Sequence, residues 1–206
     1  MRGKFITLEG GEGVGKSTQV HALANALRAR GIDVIVTREP GGSDGAEQIR
    51  ELLLGGADGR WGARAEALLF AASRADHIDK LIRPALEGGT WVLSDRFVDS
   101  SLAYQGGAGG LGIKMIREIN TFAIDDCYPD RTLILMLTEG NDRARARDGL
   151  GGDRIGSRPN EYHRKVDAAF QSIAEEEPGR VKLVDASGSA DAVTDRLVAA
   201  LEDVLP

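Results

Sequence analysis

The chain has 206 residues, 42% of them apolar, and a formal net charge of −6. That length and apolar share suffice for one sizeable core, so a single domain over residues 1–206 is expected. The acidic balance excludes a global attraction to nucleic acid or to an anionic membrane surface. The single cysteine, Cys127, excludes an internal disulfide and reads as a small buried apolar residue. The apolar stretch in MRGKFITLEG is too short for a signal h-region, and no run approaches the ~18 residues of a membrane span. The expectation is a cytoplasmic protein with neither a membrane nor a nucleic-acid partner.

KFITLE (4–9) is a short apolar, β-branched run that stops at glycine, the pattern of a buried strand feeding a loop. Val20, Leu23, Ala24 and Leu27 recur at helical spacing from Lys16 to Arg30, and Gly31 supplies the stop. IDVIVT (32–37) reads as a second strand running into the loop R-E-P-G-G. Helices are predicted at about 44–55 and 63–87, the second ended by Gly88-Gly89. TWVLSD (90–95) is a third strand, 106–112 a Gly-rich loop and 112–125 a helix. RTLILML (131–137) and VKLVDA (181–186) are further strands, and a last helix is predicted over 190–204. Strand and helix alternate, and the strands are apolar runs. The fold class is therefore α/β, a three-layer sandwich with a mostly parallel five-stranded sheet. Ligands gather at the carboxyl ends of such strands, where residues 10–18, 38–42 and 95–96 converge.

Gly10-Gly11-Glu12-Gly13-Val14-Gly15-Lys16-Ser17, followed by Thr18, matches G-x-x-x-x-G-K-[ST] in full, between a strand and a helix. Backbone N–H groups of such a loop cradle phosphates, so residues 10–18 are the predicted nucleoside triphosphate site and the fold a P-loop NTPase fold. Lys16 is expected on the outer phosphates. Ser17 and Asp95, the latter ending a buried strand, are the predicted Mg²⁺ ligands. Arg96 offers a bidentate phosphate clamp; the plainer alternative is an Asp95–Arg96 salt bridge capping the sheet. Phe70 and Arg74 lie four apart on one helix face. They read either as a core ring beside an exposed arginine, or as a ring stacked on a nucleobase with an arginine at its edge. Arg143, Arg145, Arg147, Arg154, Arg158 and Arg164 form a basic segment interrupted by glycines. A solvated face, an RNA-binding patch and a mobile Arg-rich lid at about 143–160 are the three readings of it. His21, His77 and His163 are expected on helix surfaces.

GxEGxGKST, TREPGG (37–42), LLFAASR with Phe70 and Arg74, SDRF (94–97), SSLAYQG (100–106) and DRI (153–155) occur in this order. Together they resemble the bacterial thymidylate (dTMP) kinases, from residue 5 to about 165. TREPGG and SSLAYQG are more specific than the phosphate loop. The resemblance implies a homodimer that uses ATP and Mg²⁺ to phosphorylate dTMP. It implies that Glu12 accepts from the 3′-hydroxyl, Phe70 stacks on thymine, and Arg74 and Gln105 bond the base edge, with Ser101 nearby. Tyr104 would fill the space a 2′-hydroxyl needs. Arg38, Glu39, Pro40, Arg50 and Arg96 would serve the acceptor phosphate or the loop around it. Lys16, Arg96, Glu12, Arg147 and Arg154 would carry catalysis. Gly156 stands where the family usually has Glu, with Arg158 two residues on, and Tyr162 and Lys165 stand where it usually has Phe and Arg. Two rivals remain among kinases: one acting on UMP or CMP, and a nucleoside kinase using Glu39 or Asp95 as a base. A GTP-dependent switch would carry an N-K-x-D-type element, and no such string occurs.

Overall fold

A computed structural model of the chain describes residues 2–56, 59–137, 156 and 158–206. Its strands are β1 (Phe5–Gly10), β2 (Val34–Arg38), β3 (Trp91–Asp95), β4 (Arg131–Met136) and β5 (Val181–Asp185). They form one sheet in the order β2-β3-β1-β4-β5, every neighbouring pair parallel. The described helices are α1 (Lys16–Ala29), α2 (Asp44–Leu54), α3 (Ala63–His77), α4 (Arg83–Glu87), α5 (Val98–Ser101), α6 (Ile113–Ile124), α7 (Asn160–Glu176) and α8 (Ala190–Ala199). A wider π-helical stretch, Ile78–Ile82, joins α3 to α4, so the predicted helix over 63–87 is continuous. A second one, Leu102–Ala108, extends α5.

Side chains alternate across each strand, and the sheet sorts them into two cores. Phe5, Val92, Ile134 and Val181 pack on one face with residues of α3, α6 and α7. Ile6, Leu8, Leu93, Leu133, Leu135 and Val184 pack on the other with α1 and α8. Because both faces are covered, the strands read as apolar runs rather than as alternating patterns. Each fully buried Leu, Ile or Phe contributes roughly 1.5–3 kcal/mol relative to exposure. The strand order reverses at β1, the chain building first to the β2–β3 side and then to the β4–β5 side. A crevice therefore opens at the carboxyl end of β1, where the phosphate loop begins.

Several sequence expectations need correction. The segment predicted as a Gly-rich loop from residue 106 is helical through Ala108, because Leu102, Ala103, Tyr104 and Gln105 are all buried against the core. The helix α7 was unassigned in the sequence reading. Val166, Ala169, Phe170, Ile173 and Ala174 give it a clear apolar face. The last helix is regular only to Ala199 and then breaks into turns. His21 is exposed as expected, but His77 and His163 are not surface residues, being 0% and 3% exposed. His77 shares the α3 face of Phe70 and Arg74, which turns it onto the sheet edge. Its Nδ1 lies 3.2 Å from Glu39 Oε1 and its Nε2 2.8 Å from Thr37 Oγ1. His163 packs edge-on against Tyr162, and its Nε2 lies 3.3 Å from the Gly156 carbonyl oxygen. Cys127 is buried, and that burial pushes its thiol up to about 11.

Candidate active site

The phosphate loop wraps from the end of β1 into α1. Gly10 has φ 137° and sits so close to β4 that a Cβ would lie 2.5 Å from the Leu135 carbonyl oxygen. Gly15 adopts φ 89° immediately before α1, a left-handed conformation that costs glycine little. Val14, 8% exposed, pins the loop to the α1 core. Lys16 is buried and curls back to donate to the Gly11 carbonyl at 2.6 Å. Burial and the neighbouring Arg96 pull its ammonium down to about 8, against opposing attraction from Glu12, Asp95 and Glu9. The Ser17 hydroxyl donates to Asp95 Oδ2 at 2.9 Å. A hydroxyl and a carboxylate side by side form an oxygen-only pair that fits Mg²⁺.

Arg96 follows β3 with φ 71°, unusual for a residue with a Cβ. It does not cap the sheet by pairing with Asp95. Its Nη2 meets Glu12 Oε1 at 2.7 Å, and its Nη1 reaches Gly10 O and Ser100 Oγ, each at 3.2 Å. The Tyr104 hydroxyl also donates to Glu12 Oε1, at 2.9 Å, and the Arg96 guanidinium lies over the Tyr104 ring. Burial would raise the Glu12 carboxyl, but Arg96, Lys16 and Tyr104 outweigh it and hold it at about 2. Burial likewise keeps the Tyr104 hydroxyl protonated. Glu12 Oε2 accepts from no described group, which leaves an acceptor oxygen beside the loop.

At the other end, Arg74 is 1% exposed, so the core-ring-with-exposed-arginine alternative does not hold. Its Nε donates to Glu39 Oε2 at 2.9 Å, and its Nη1 serves Ser101 Oγ and Asn120 Oδ1. Its Nη2 lies 2.7 Å from Glu39 Oε2, and only one of its two N–H groups can point there. Glu39 is committed to Arg74 and His77, 3% exposed, which removes it as a base for a nucleoside kinase. The TREPGG turn needs its glycines: at Gly42, φ 95°, a Cβ would lie 2.3 Å from His77 Nε2. Around it, Arg38 pairs with Glu47 while half exposed, and Arg50 donates to the Pro40 carbonyl at 2.6 Å.

These groups share one cavity of about 500 Å³. Glu12, Gly13, Gly15, Lys16, Ser17, Thr18, Asp95 and Arg96 line one end. Arg38, Glu39, Pro40, Arg50, Phe70, Arg74, Ser101, Tyr104 and Gln105 line the rest. Gly10, Gly11 and Val14 do not line it. Arg147 and Arg154 lie outside the described residues. The sequence reading missed Ser100, Asn120 and Glu9. Asn120 falls on the buried face of α6, and Ser100 lies inside a motif already singled out. Glu9 is a carboxyl 0% exposed inside β1, accepting from Phe97 N at 2.7 Å and from the Ser100 hydroxyl at 2.5 Å. Burial and Asp99 push it up to about 8.

A phosphate loop facing an aromatic-walled pocket across one cavity defines a P-loop kinase of a small acceptor. Comparison with known proteins narrows this. The family model described as thymidylate kinase matches residues 8–197. A thymidylate kinase of Rhizorhabdus wittichii is 57% identical over 208 aligned residues, covering all of both chains. Another, of Nitrobacter winogradskyi, is 49% identical over 98% of this chain and 89% of its own. The crystal structure of thymidylate kinase from Ehrlichia chaffeensis superposes with a TM-score of 0.80 at 31% identity, covering 98% of this chain and all of that one. The chain belongs to the thymidylate kinase family.

Proposed function

We propose that this protein transfers the γ-phosphoryl group of ATP to dTMP, giving ADP and dTDP for dTTP synthesis. The observation that carries the reading is the cavity itself, with Lys16 and Arg96 at one end and Phe70, Arg74 and Gln105 at the other. Phe70 stacks on thymine while Arg74 and Gln105 bond its edge. Glu12 accepts from the 3′-hydroxyl, and Tyr104 occupies the space of a 2′-hydroxyl. An acceptor phosphate oxygen bonds to the γ-phosphorus as the β–γ bridging bond breaks, and ADP keeps the bonding pair. That oxygen is already anionic, so no general base is needed. Catalysis comes from in-line positioning and from charge neutralisation by Lys16, Arg96, Arg147 and Arg154. Ser17 and Asp95 would hold Mg²⁺, which when bound would supply further neutralisation and orient the phosphates.

A homodimer belongs to the same reading, supported by an exposed apolar stripe on α3, Ala65, Leu68 and Ala72, and by exposed Met115 and Phe122 on α6. So does a cytoplasmic setting; none of the described helices is long and apolar enough to cross a membrane. Incubation with ATP, Mg²⁺ and dTMP, followed by chromatographic product identification, should give dTDP and ADP in equal amounts. ADP without dTDP would overturn the proposal.

A further inference from the structure

Gln105 stands between two cavities. One is the acceptor cavity; the other, of similar volume, is lined by Trp61, Glu66, Leu111, Arg158 and Tyr162. On that far side Gln105 Nε2 donates to Glu66 Oε1 at 3.1 Å. Glu66 is 4% exposed, and Arg158 Nη2 bridges both of its oxygens, at 3.0 and 2.9 Å. Arg158 is itself fixed: its Nη1 donates to the Tyr162 hydroxyl at 2.5 Å, and its guanidinium lies 4.6 Å from that ring's centre. The Tyr162 hydroxyl donates in turn to the Tyr104 carbonyl at 2.7 Å, one residue before Gln105.

An ionised carboxylate only accepts, so it dictates which end of a neighbouring carboxamide faces it. Both Glu66 oxygens accept from Arg158 Nη2 and one accepts from Gln105 as well, so the Gln105 nitrogen turns away from the acceptor cavity. Its Oε1 then bonds no described group. We propose that Arg158 and Glu66 are positioning residues that fix the Gln105 carboxamide with its oxygen as the acceptor for the base, and so set the choice between pyrimidines. The inference rests on the dTMP reading above. Thymine carries an N3–H donor and a 4-carbonyl acceptor, which match the Gln105 oxygen and an Arg74 N–H. Cytosine carries an N3 acceptor and a 4-amino donor, so both contacts become like against like. Without Arg158 across its two oxygens, Glu66 loses the contact that holds both of them as acceptors, and an amide at position 66 can itself donate. The carboxamide is then free to turn its N–H₂ to the base, and cytosine gains what thymine loses.

The experiment measures kcat and KM for dTMP, dCMP and ATP in wild type, R158M, R158K, E66Q and Q105A. R158M and E66Q should each lower the dTMP-to-dCMP ratio of kcat/KM about tenfold, the worth of one hydrogen bond made or mismatched. The change should sit in KM for the acceptor and leave KM for ATP unaltered. R158K keeps a cation beside Glu66 and should restore most of the ratio, which a merely structural role for Arg158 would not produce. Should R158M fail to fold, E66Q gives the same reading, since a neutral amide at position 66 releases Gln105. A wild-type ratio retained in folded, active R158M or E66Q overturns the proposal. If the wild type shows no preference for dTMP, or Q105A leaves the ratio unchanged, the base-pocket reading fails as well.

Discussion

Both ends of the cavity set an arginine against a carboxylate, but in different surroundings. In the Arg96–Glu12 pair the side chains are 18% and 31% exposed; in the Arg74–Glu39 pair they are 1% and 3%. The phosphate end is reassignable. Lys16 is held by one backbone carbonyl, and Arg96 by a partly solvated carboxylate with Gly10 O and Ser100 Oγ farther off at 3.2 Å, so both can change partners. The base end is fixed. Arg74 is held by Glu39, Ser101 and Asn120, and Glu39 by His77. A cation that neutralises moving charge must be free to change partners, whereas one that reads a base edge must stay in place. Rate is therefore expected to depend on the first end, and acceptor choice and stability on the second.

The largest effect expected is on folding. Arg74→Ala strands the Glu39 carboxylate in the interior, and breaking a buried pair from one side costs about 3–5 kcal/mol. Denaturant unfolding should show that loss; an unchanged midpoint would erase the contrast between the two ends. Lys16→Ala should leave stability nearly intact but lower kcat by about 10²–10³, the scale of losing one fixed charge-stabilising donor, with KM for dTMP little changed. Phe70→Ala should do the reverse, raising KM for dTMP about tenfold while kcat holds, since base stacking is worth about 1–3 kcal/mol. Steady-state kinetics on the two variants separates the ends.

The smallest effect is one of slope and belongs to Glu9, which lies beneath both. Its carboxyl is raised to about 8, so between about 4.5 and 8 the folded protein keeps a proton that the unfolded chain has released. Stability therefore falls as pH rises through that window. Glu9→Gln should flatten the thermal midpoint between pH 5 and pH 8, and an identical slope in both proteins would mean that Glu9 is ionised in the fold.

The architecture was readable because every strand is buried on both faces and so appears as an apolar run. The residues that meet in the candidate site were readable where the chain uses unusual ones: glycines at left-handed positions in the phosphate loop and the 37–42 turn, and an aromatic–arginine pair four apart. The spacing that placed Phe70 and Arg74 together also placed His77 on their face, three residues beyond Arg74. Its burial was open to inference and was passed over because histidine is so often a surface residue. Glu9 was hidden because a carboxyl at a strand end looks like the start of a loop. The helix over 98–108 was masked by the glycines that follow Gln105, and α7 by the charges of its first turn. The Glu66–Arg158 pair spans 92 positions, and only the fold brings it together. Arg154 stands on its motif alone and Arg147 on the basic run that holds it, both outside the described residues.

The most direct test of the account is a coupled ADP-release assay with ATP and Mg²⁺, run side by side against dTMP, dUMP, UMP, CMP and thymidine. The account predicts turnover dominated by dTMP, with the ribonucleotides excluded by Tyr104 and thymidine inert for want of a phosphate. Preferred turnover of UMP or CMP would contradict it, and would reduce Phe70, Arg74 and Tyr104 to structural residues.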